Sequence, residues 1–418
     1  MVEQYFRDPH TIARLRSMSL SRGIDDLAGY LHERGYAQFS GQVYLRGAAH
    51  FGHWIDAEGI TLARINEEVV ARFVEEHMRQ CQCPVARGLS LTHLRAAMGH
   101  LLKVLRESGH TPPPTASPQI PADVVLQEFR QHLQQVQGAK ESTCSVYTRH
   151  VREFLIAKFG TGSIDFAHLT VRDVITFVEE KAAHWRPKTT NLLASSLRSF
   201  LRFVQVNGRC DGRLVSAVPA TPEWKFSHLP KNVSDADLRA LLASFEGRGA
   251  IGRRDLAMAL CLCRIALRAG EVAELSLDDI DWRSGTVCIN GKSRRANVLP
   301  LPPDVGRAIV DYIRHGRPET RSRCVFVQHR PPVGVAINAN SVRNAIRSAL
   351  RRAGLKVSSK GTHVLRHTAA ANMVRAGATL KEVADVLRHR SIDTTAIYAK
   401  VDLPRLADVA MPWPEVRS

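Results

Sequence analysis

Two proline-rich stretches limit what this chain can fold into. TPPPTASPQIP, from Thr111 to Pro121, and VPATPEWKFSHLP, from Val218 to Pro230, lack too many backbone N–H donors to lie inside a helix or a sheet. Both are expected as extended, exposed linkers. They cut the 418 residues into blocks at 1–110, 122–217 and 231–418, each long enough to bury a core.

The first two blocks read as variations on one unit. Block one runs QVYLRGAAHFGHWI, INEEVVARFVEEH and LRAAMGHLLKVLRESG; block two runs SVYTRHVREFLIAKFG, LTVRDVITFVEEK and LASSLRSFLRFVQVNG. Tyr44 pairs with Tyr147, the FVEE at 73–76 with that at 177–180, and Gly109 with Gly208, at offsets of 103, 104 and 99 residues. Apolar residues recur at three- and four-residue intervals throughout, which predicts helices. Either these are tandem helical domains, or two amphipathic helical segments merely look alike.

Block three is mixed. Helical patterns surround a β-rich insert: TVCI at 286–289, a turn at Gly291-Lys292-Ser293-Arg294, and ANVLPL at 296–301, with a further short strand, CVFVQ, at 324–328. The predicted helix SVRNAIRSALRRAGL sets Arg343, Arg347 and Arg351 four apart beside Val342, Ile346 and Leu350. That stripe is either a track for a phosphate backbone or a solvated helix face.

Charge narrows the partners. Lys and Arg number 58 against 40 Asp and Glu, a formal +18 with a pI near 10. Such a chain favours a polyanion, nucleic acid first and a membrane surface second. No apolar run approaches the roughly 20 residues of a spanning helix, and MVEQYFRDPH has no apolar signal core, so a cytoplasmic location is expected. The eight cysteines are scattered. Cys81-x-Cys83 and Cys261-x-Cys263 lack the C-x2-C spacing of zinc ligands and read as reduced, structural thiols.

HVLRH, residues 363–367, sets two histidines at zinc-ligand spacing around an arginine. The glutamate of H-E-x-x-H is missing, and the fixed cation of Arg366 would repel a metal. An anion fits better. Downstream, Gly377 predicts a helix stop, and Thr379 with Glu382 a capping box for a helix ending near Leu387. His389 follows, then a helix beginning in SIDTT that carries Tyr398 on its second turn. Upstream, LRAGE places Arg268 three residues before Glu271.

Together these residues resemble the catalytic signature of the tyrosine recombinases, the phage integrase family. Arg268 and Glu271 match its R-x-x-E box, Lys292 in GKSRR its hairpin lysine, and His363-x-x-Arg366-His367 its H-x-x-R-H box. His389 in LRH matches the third histidine, with Tyr398 nine residues beyond it. The resemblance covers block three nearly end to end. It implies a mainly α fold with a small β-sheet in a mixed α+β catalytic domain at 231–401. Two helical, SAM-like DNA-binding domains would precede it, block two as the core-binding domain and block one as an extra copy.

The resemblance also implies the roles. Arg268 and Arg366 would hold a phosphodiester, Tyr398 would attack it, His363 would take the phenol proton, Lys292 would protonate the departing oxygen and His389 would hydrogen-bond the phosphate. Glu271 would orient the site, with His367 in an accessory position behind it. Arg294 and Arg295, like the stripe of Arg343, Arg347 and Arg351, are candidates for DNA-backbone contact. The family usually has glycine where this chain has Arg388. Either a left-handed turn is kept at a cost on the order of 1 kcal/mol, or the turn differs and Arg388 faces DNA.

The activity implied is cleavage and rejoining of double-stranded DNA at specific sites, without metal or ATP, by a tetramer assembled on DNA, accessory proteins being left open. Integration, excision or transposition of a mobile element comes first and resolution of replicon dimers second. A non-cleaving DNA-binding factor of the same fold and a relaxer of supercoils remain alternatives. The tail at 402–418 would dock on a neighbouring protomer or pack on its own domain.

Overall fold

The computed structural model describes every residue except 82, 84–89, 115–118, 221, 223–231, 291–295, 356–360, 389–390, 392–393 and 402–418. Helix dominates, with a small three-stranded antiparallel sheet, as the sequence predicts. The chain forms two compact units, one of residues 114–227 and one combining 1–113 with 228–418.

The 114–227 unit is built from the helices Pro121–Gln135, Glu141–Phe159, Val171–His184 and Pro187–Val206, followed by the short Arg213–Ala217. Prolines open the first and fourth at the position where a missing N–H costs nothing. Pro121 is therefore the start of a helix and not the end of a linker. Thr170 and Asp173 form a reciprocal cap on the third. Phe129, Phe154 and Phe200 are fully buried in the shared core; cutting any of them back to Ala would cost about 3–5 kcal/mol.

Residues 1–113 repeat that order of elements. Ser21–Glu33, Gln38–Ala57, the run Glu67–Gln80 and Leu91–Glu107 follow one another, with a single-turn 3-10 helix before the third, as at Phe166–His168 in the other unit. Gly109 and Gly208 both follow the last long helix with positive φ, at 70° and 68°. One difference is local: FVEE is α-helical at 177–180, whereas Phe73–His77 forms a π-helical turn. Leu27, Phe51, Phe73 and Leu101 lie at the centre of this core. Thr111, expected in an exposed linker, is buried, and its hydroxyl donates to the Leu62 carbonyl at 3.2 Å.

In the C-terminal region, the helices Gly249–Cys263, Pro303–His315 and Ala339–Arg352 pack around one core with the sheet. Its strands are β1 (Ile280–Asp281), β2 (Thr286–Asn290) and β3 (Ala296–Pro300). Val287 pairs with Leu299, and with Ile289 they bury one face while Val298 points outward. CVFVQ does not join this sheet; Cys324 bridges Ser276 and Val327 bridges Ala336. Cys261 and Cys263 are core thiols whose burial pushes both far up. A smaller cluster of Ala266, Ala369, Ala370, Val374, Val383, Leu387 and Tyr398 lies under the candidate site.

Candidate active site

The site is assembled where a loop, a helix start and a helix end meet. After Gly249–Cys263 the chain turns through Ala266, which takes a left-handed φ of 51°. Arg268 then caps the helix Ala269–Glu274. Glu271 secures that cap twice: Oε2 accepts the Arg268 backbone N–H at 2.7 Å, and Oε1 accepts from Nη1 at 2.7 Å. Arg268 Nη2 also donates to the carbonyls of Leu387 and Arg388 at 3.3 Å each. Those carbonyls close the helix Leu380–Leu387, where the helix dipole is negative.

Arg366 comes from the first turn of His363–Arg375 and is buried. Its guanidinium donates to the carbonyls of Ala266 and Leu387, so it ties the loop before Arg268 to the end of the other helix. Burial, with Arg268 and Arg388 nearby, pushes it down to about 10, still cationic at neutral pH.

Arg388 resolves the missing glycine. It adopts φ 52° and ψ 48°, so the left-handed turn is kept without glycine. Its side chain, 6% exposed, does not face outward: Nη2 donates to Glu271 Oε2 at 2.6 Å and Nη1 to the Val386 carbonyl at 3.0 Å. The expectation of a DNA-facing Arg388 is corrected, because a guanidinium folded onto a buried carboxylate cannot also reach solvent. Burial alone would raise the Glu271 carboxyl, but the Arg268 N–H and the Arg388 and Arg268 guanidiniums outweigh it and hold it below its usual range. Among the described residues, three guanidiniums meet one carboxylate around this turn. Such a cluster suits an oxyanion with non-bridging oxygens to share among planar donors.

The tyrosine is adjacent. Tyr398 sits on the first turn of a 3-10 helix, Ala396–Val401, and not on the second turn of an α-helix. Its ring is 2% exposed, and its hydroxyl lies 2.6 Å from Nδ1 of His367. Burial pushes the phenol up to about 12. Burial, His363 and Arg366 together lower His367, which is therefore neutral near pH 7 and able to accept the phenol proton. His363, the base expected from the sequence, is exposed, with its ring 6.3 Å from that of His367. The structure thus moves the tyrosine's partner one helical turn along the same box.

Arg343, Arg347 and Arg351 line the exposed face of Ala339–Arg352, opposite the buried Val342, Ile346 and Leu350. Lys292, Arg294, Arg295 and His389 lie outside the described residues, as does the 402–418 tail.

Residues 231–404 match the phage integrase family, and residues 126–207 match its N-terminal SAM-like domain. Over 94% of both chains the sequence is 36% identical to y4rA of Sinorhizobium fredii, designated an integrase/recombinase. The chain belongs to the phage integrase family. The tyrosine recombinase XerA of Pyrococcus furiosus is 26% identical, over 92% of its own length but 68% of this chain. Solved structures with the same fold include XerH on a palindromic difH substrate, at TM-score 0.54 and 16% identity, covering 83% of this chain and 95% of that one. The Tn1549 transposon integrase with transposon right-end DNA matches at TM-score 0.52 and 16% identity, covering 68% of this chain and 99% of that one.

Proposed function

We propose that this protein is a site-specific recombinase that cuts and rejoins double-stranded DNA through a 3′-phosphotyrosyl intermediate. The observation that carries the reading is the hydrogen-bonded pair of Tyr398 and His367 beside the guanidiniums of Arg268 and Arg366, which converge on the Leu387 carbonyl. The Tyr398 oxygen attacks the scissile phosphorus while its proton passes to His367 Nδ1. The phosphorus–O5′ bond breaks, and Lys292 protonates the departing 5′-oxygen. Arg268 and Arg366 neutralise the non-bridging oxygens as charge gathers there. His363, exposed at the rim, and His389 hydrogen-bond the phosphate. A 5′-hydroxyl from the partner duplex then attacks the phosphotyrosine, and His367 returns the proton. The phosphotyrosyl bond conserves the energy of the diester, so neither ATP nor a metal is required for the strand transfer.

The phenol is buried here, so Tyr398 and His367 become accessible to DNA together, as a pair, on assembly. Exchange between two duplexes calls for a tetramer on DNA, with accessory proteins where the site demands them. The two helical domains, the second beginning at Pro121, grip the duplex, and 218–230 leads to the catalytic domain at 231–401. The DNA-facing cations are Arg343, Arg347 and Arg351, with Arg294 and Arg295 as further candidates. No described helix is long and apolar enough to cross a membrane, and the reaction belongs in the cytoplasm.

Mobile-element integration or transposition is the biological role. It is supported by the match to y4rA over 94% of both chains, whereas XerA leaves about a third of this chain unmatched. A plasmid bearing two copies of the DNA flanking the gene tests this: wild-type protein is expected to give excised circles, and Tyr398→Phe none. Exchange of plasmid-dimer sites only would move the role to resolution.

A further inference from the structure

Four potential metal ligands converge in the first helical block. His50 lies on Gln38–Ala57, His77 ends the π-helical turn Phe73–His77, and Cys81 and Cys83 follow shortly after. Their ligand atoms all lie within 4.8 Å of one another. The Nε2 atoms of His50 and His77 are 3.2 Å apart, Cys81 Sγ is 3.3 Å from His50 Nε2, and Cys83 Sγ is 3.9 Å from His77 Nε2. We infer that His50, His77, Cys81 and Cys83 form a structural zinc site.

Hydrogen bonding alone does not explain the arrangement. A neutral imidazole offers one lone pair or one N–H at Nε2, yet His50 Nε2 faces both His77 and Cys81 at bonding distance. A central cation uses one lone pair from each group and satisfies all four at once. The spacing fits: tetrahedral zinc with bonds of about 2.05 Å to nitrogen and about 2.3 Å to sulfur sets N to N about 3.4 Å apart, N to S about 3.6 Å and S to S about 3.8 Å. Two thiolates also balance the divalent charge, which suits a site where His50 is fully buried and the other three are half-buried.

The surroundings support the same assignment. The backbone N–H of Cys83 donates to Cys81 Sγ at 3.3 Å, a bond that favours a thiolate. Phe73 stacks on His77 at 5.4 Å and meets His50 edge-on at 5.2 Å, and Trp54 lies 5.9 Å from His77, so the cluster has an aromatic wall. The π-helical turn, absent from the matching FVEE helix of the other unit, inserts a residue just where His77 must be re-aimed. Two soft sulfurs with two imidazoles select zinc over magnesium or calcium. Four protein ligands close the coordination shell, so the ion would tie Gln38–Ala57 to the segment after His77 and would not hydrolyse anything.

The full chain, expressed in zinc-supplemented medium and passed through gel filtration without chelator, is expected to carry one zinc per chain by elemental analysis. Exchange for Co²⁺ is expected to give the visible bands of a tetrahedral ion with a thiolate charge-transfer band. In the Cys81→Ser/Cys83→Ser double variant both signals disappear, while Cys210→Ser keeps them. If the double variant proves insoluble, iodoacetamide labelling of the wild type decides: Cys81 and Cys83 are protected until a strong chelator is added. Zinc-free wild-type protein with no thiolate band on cobalt addition, zinc retained by the double variant, or labelling indifferent to chelator would each overturn the site.

Discussion

The hydroxyl of Tyr398 and Nδ1 of His367 are 2.6 Å apart, although 31 residues separate them in the chain. The phenol is pushed up to about 12 and the imidazole is pushed down, both mainly by burial. A high-pKa nucleophile is thus held against a neutral acceptor, and the proton has somewhere to go when the phosphate arrives.

The pH dependence of cleavage follows from that pair. His367 accepts a proton only when neutral, and its lowered pKa keeps it neutral to below the usual histidine range. Cleavage of a nicked substrate is expected to fall as pH drops through that lowered value and to stay level around neutrality. His367→Gln should slow cleavage about 10²–10⁴-fold and abolish the acid limb, with DNA affinity unchanged. An acid limb that survives in His367→Gln and is lost in His363→Gln would return the base to His363.

Arg268 and Arg366 are set to share phosphate oxygens through planar guanidiniums. Arg268→Lys keeps the charge but loses the fork and its bonds to Glu271, Leu387 and Arg388. Single-turnover cleavage is expected to fall by about 10²–10³-fold while binding to the uncleaved duplex changes little.

Arg388 separates backbone strain from charge pairing. Arg388→Ala and Arg388→Gly both remove the bond to Glu271, but only glycine relieves the left-handed φ of 52°. Denaturant unfolding is expected to find the glycine variant more stable than the alanine variant by about 1 kcal/mol. Equal stabilities would show that the turn relaxes when the side chain is removed.

Glu271 should contribute an acid-sensitive part of stability. Its folded pKa lies below its unfolded one, so the contribution is present above the ordinary carboxylate range and is lost as pH falls through the lowered value. Unfolding of Glu271→Gln, followed against pH, is expected to show a shallower acid decline than wild type. The variant should already be less stable at neutral pH, because the Arg268 and Arg388 guanidiniums then lack their carboxylate.

The exposed stripe of Ala339–Arg352 predicts a salt effect. Each of Arg343→Ala, Arg347→Ala and Arg351→Ala should reduce the slope of log affinity against log salt by about 0.9 if that arginine contacts a phosphate. An unchanged slope for all three would make the stripe a solvated face.

Much of this was readable in local pattern. Three- and four-residue apolar spacing marks the helices, alternation marks β2 and β3, and Thr379 with Glu382 forms the cap its spacing announces. The order of Arg268, His363, Arg366 and Tyr398 carries the family. The distant pairings were not legible. His367 meets Tyr398, Arg388 turns inward to Glu271 across 117 residues, and His50 finds Cys81 across 31, because tertiary packing sets those distances and periodicity does not. The C-x-C spacing also hid its partners, since the histidines that complete the cluster come from another helix and a π-helical turn. CVFVQ has strand composition, yet it makes isolated bridges instead of joining the sheet.

A covalent protein–DNA adduct decides whether Tyr398 cuts DNA. Purified protein is incubated with nicked duplexes from the flanks of its own gene without added divalent metal, then denatured, and the linked peptide is sequenced by mass spectrometry. DNA joined through its 3′-phosphate to Tyr398 is expected, with no adduct from Tyr398→Phe. An adduct that persists in Tyr398→Phe, or one mapped to another residue, would contradict it.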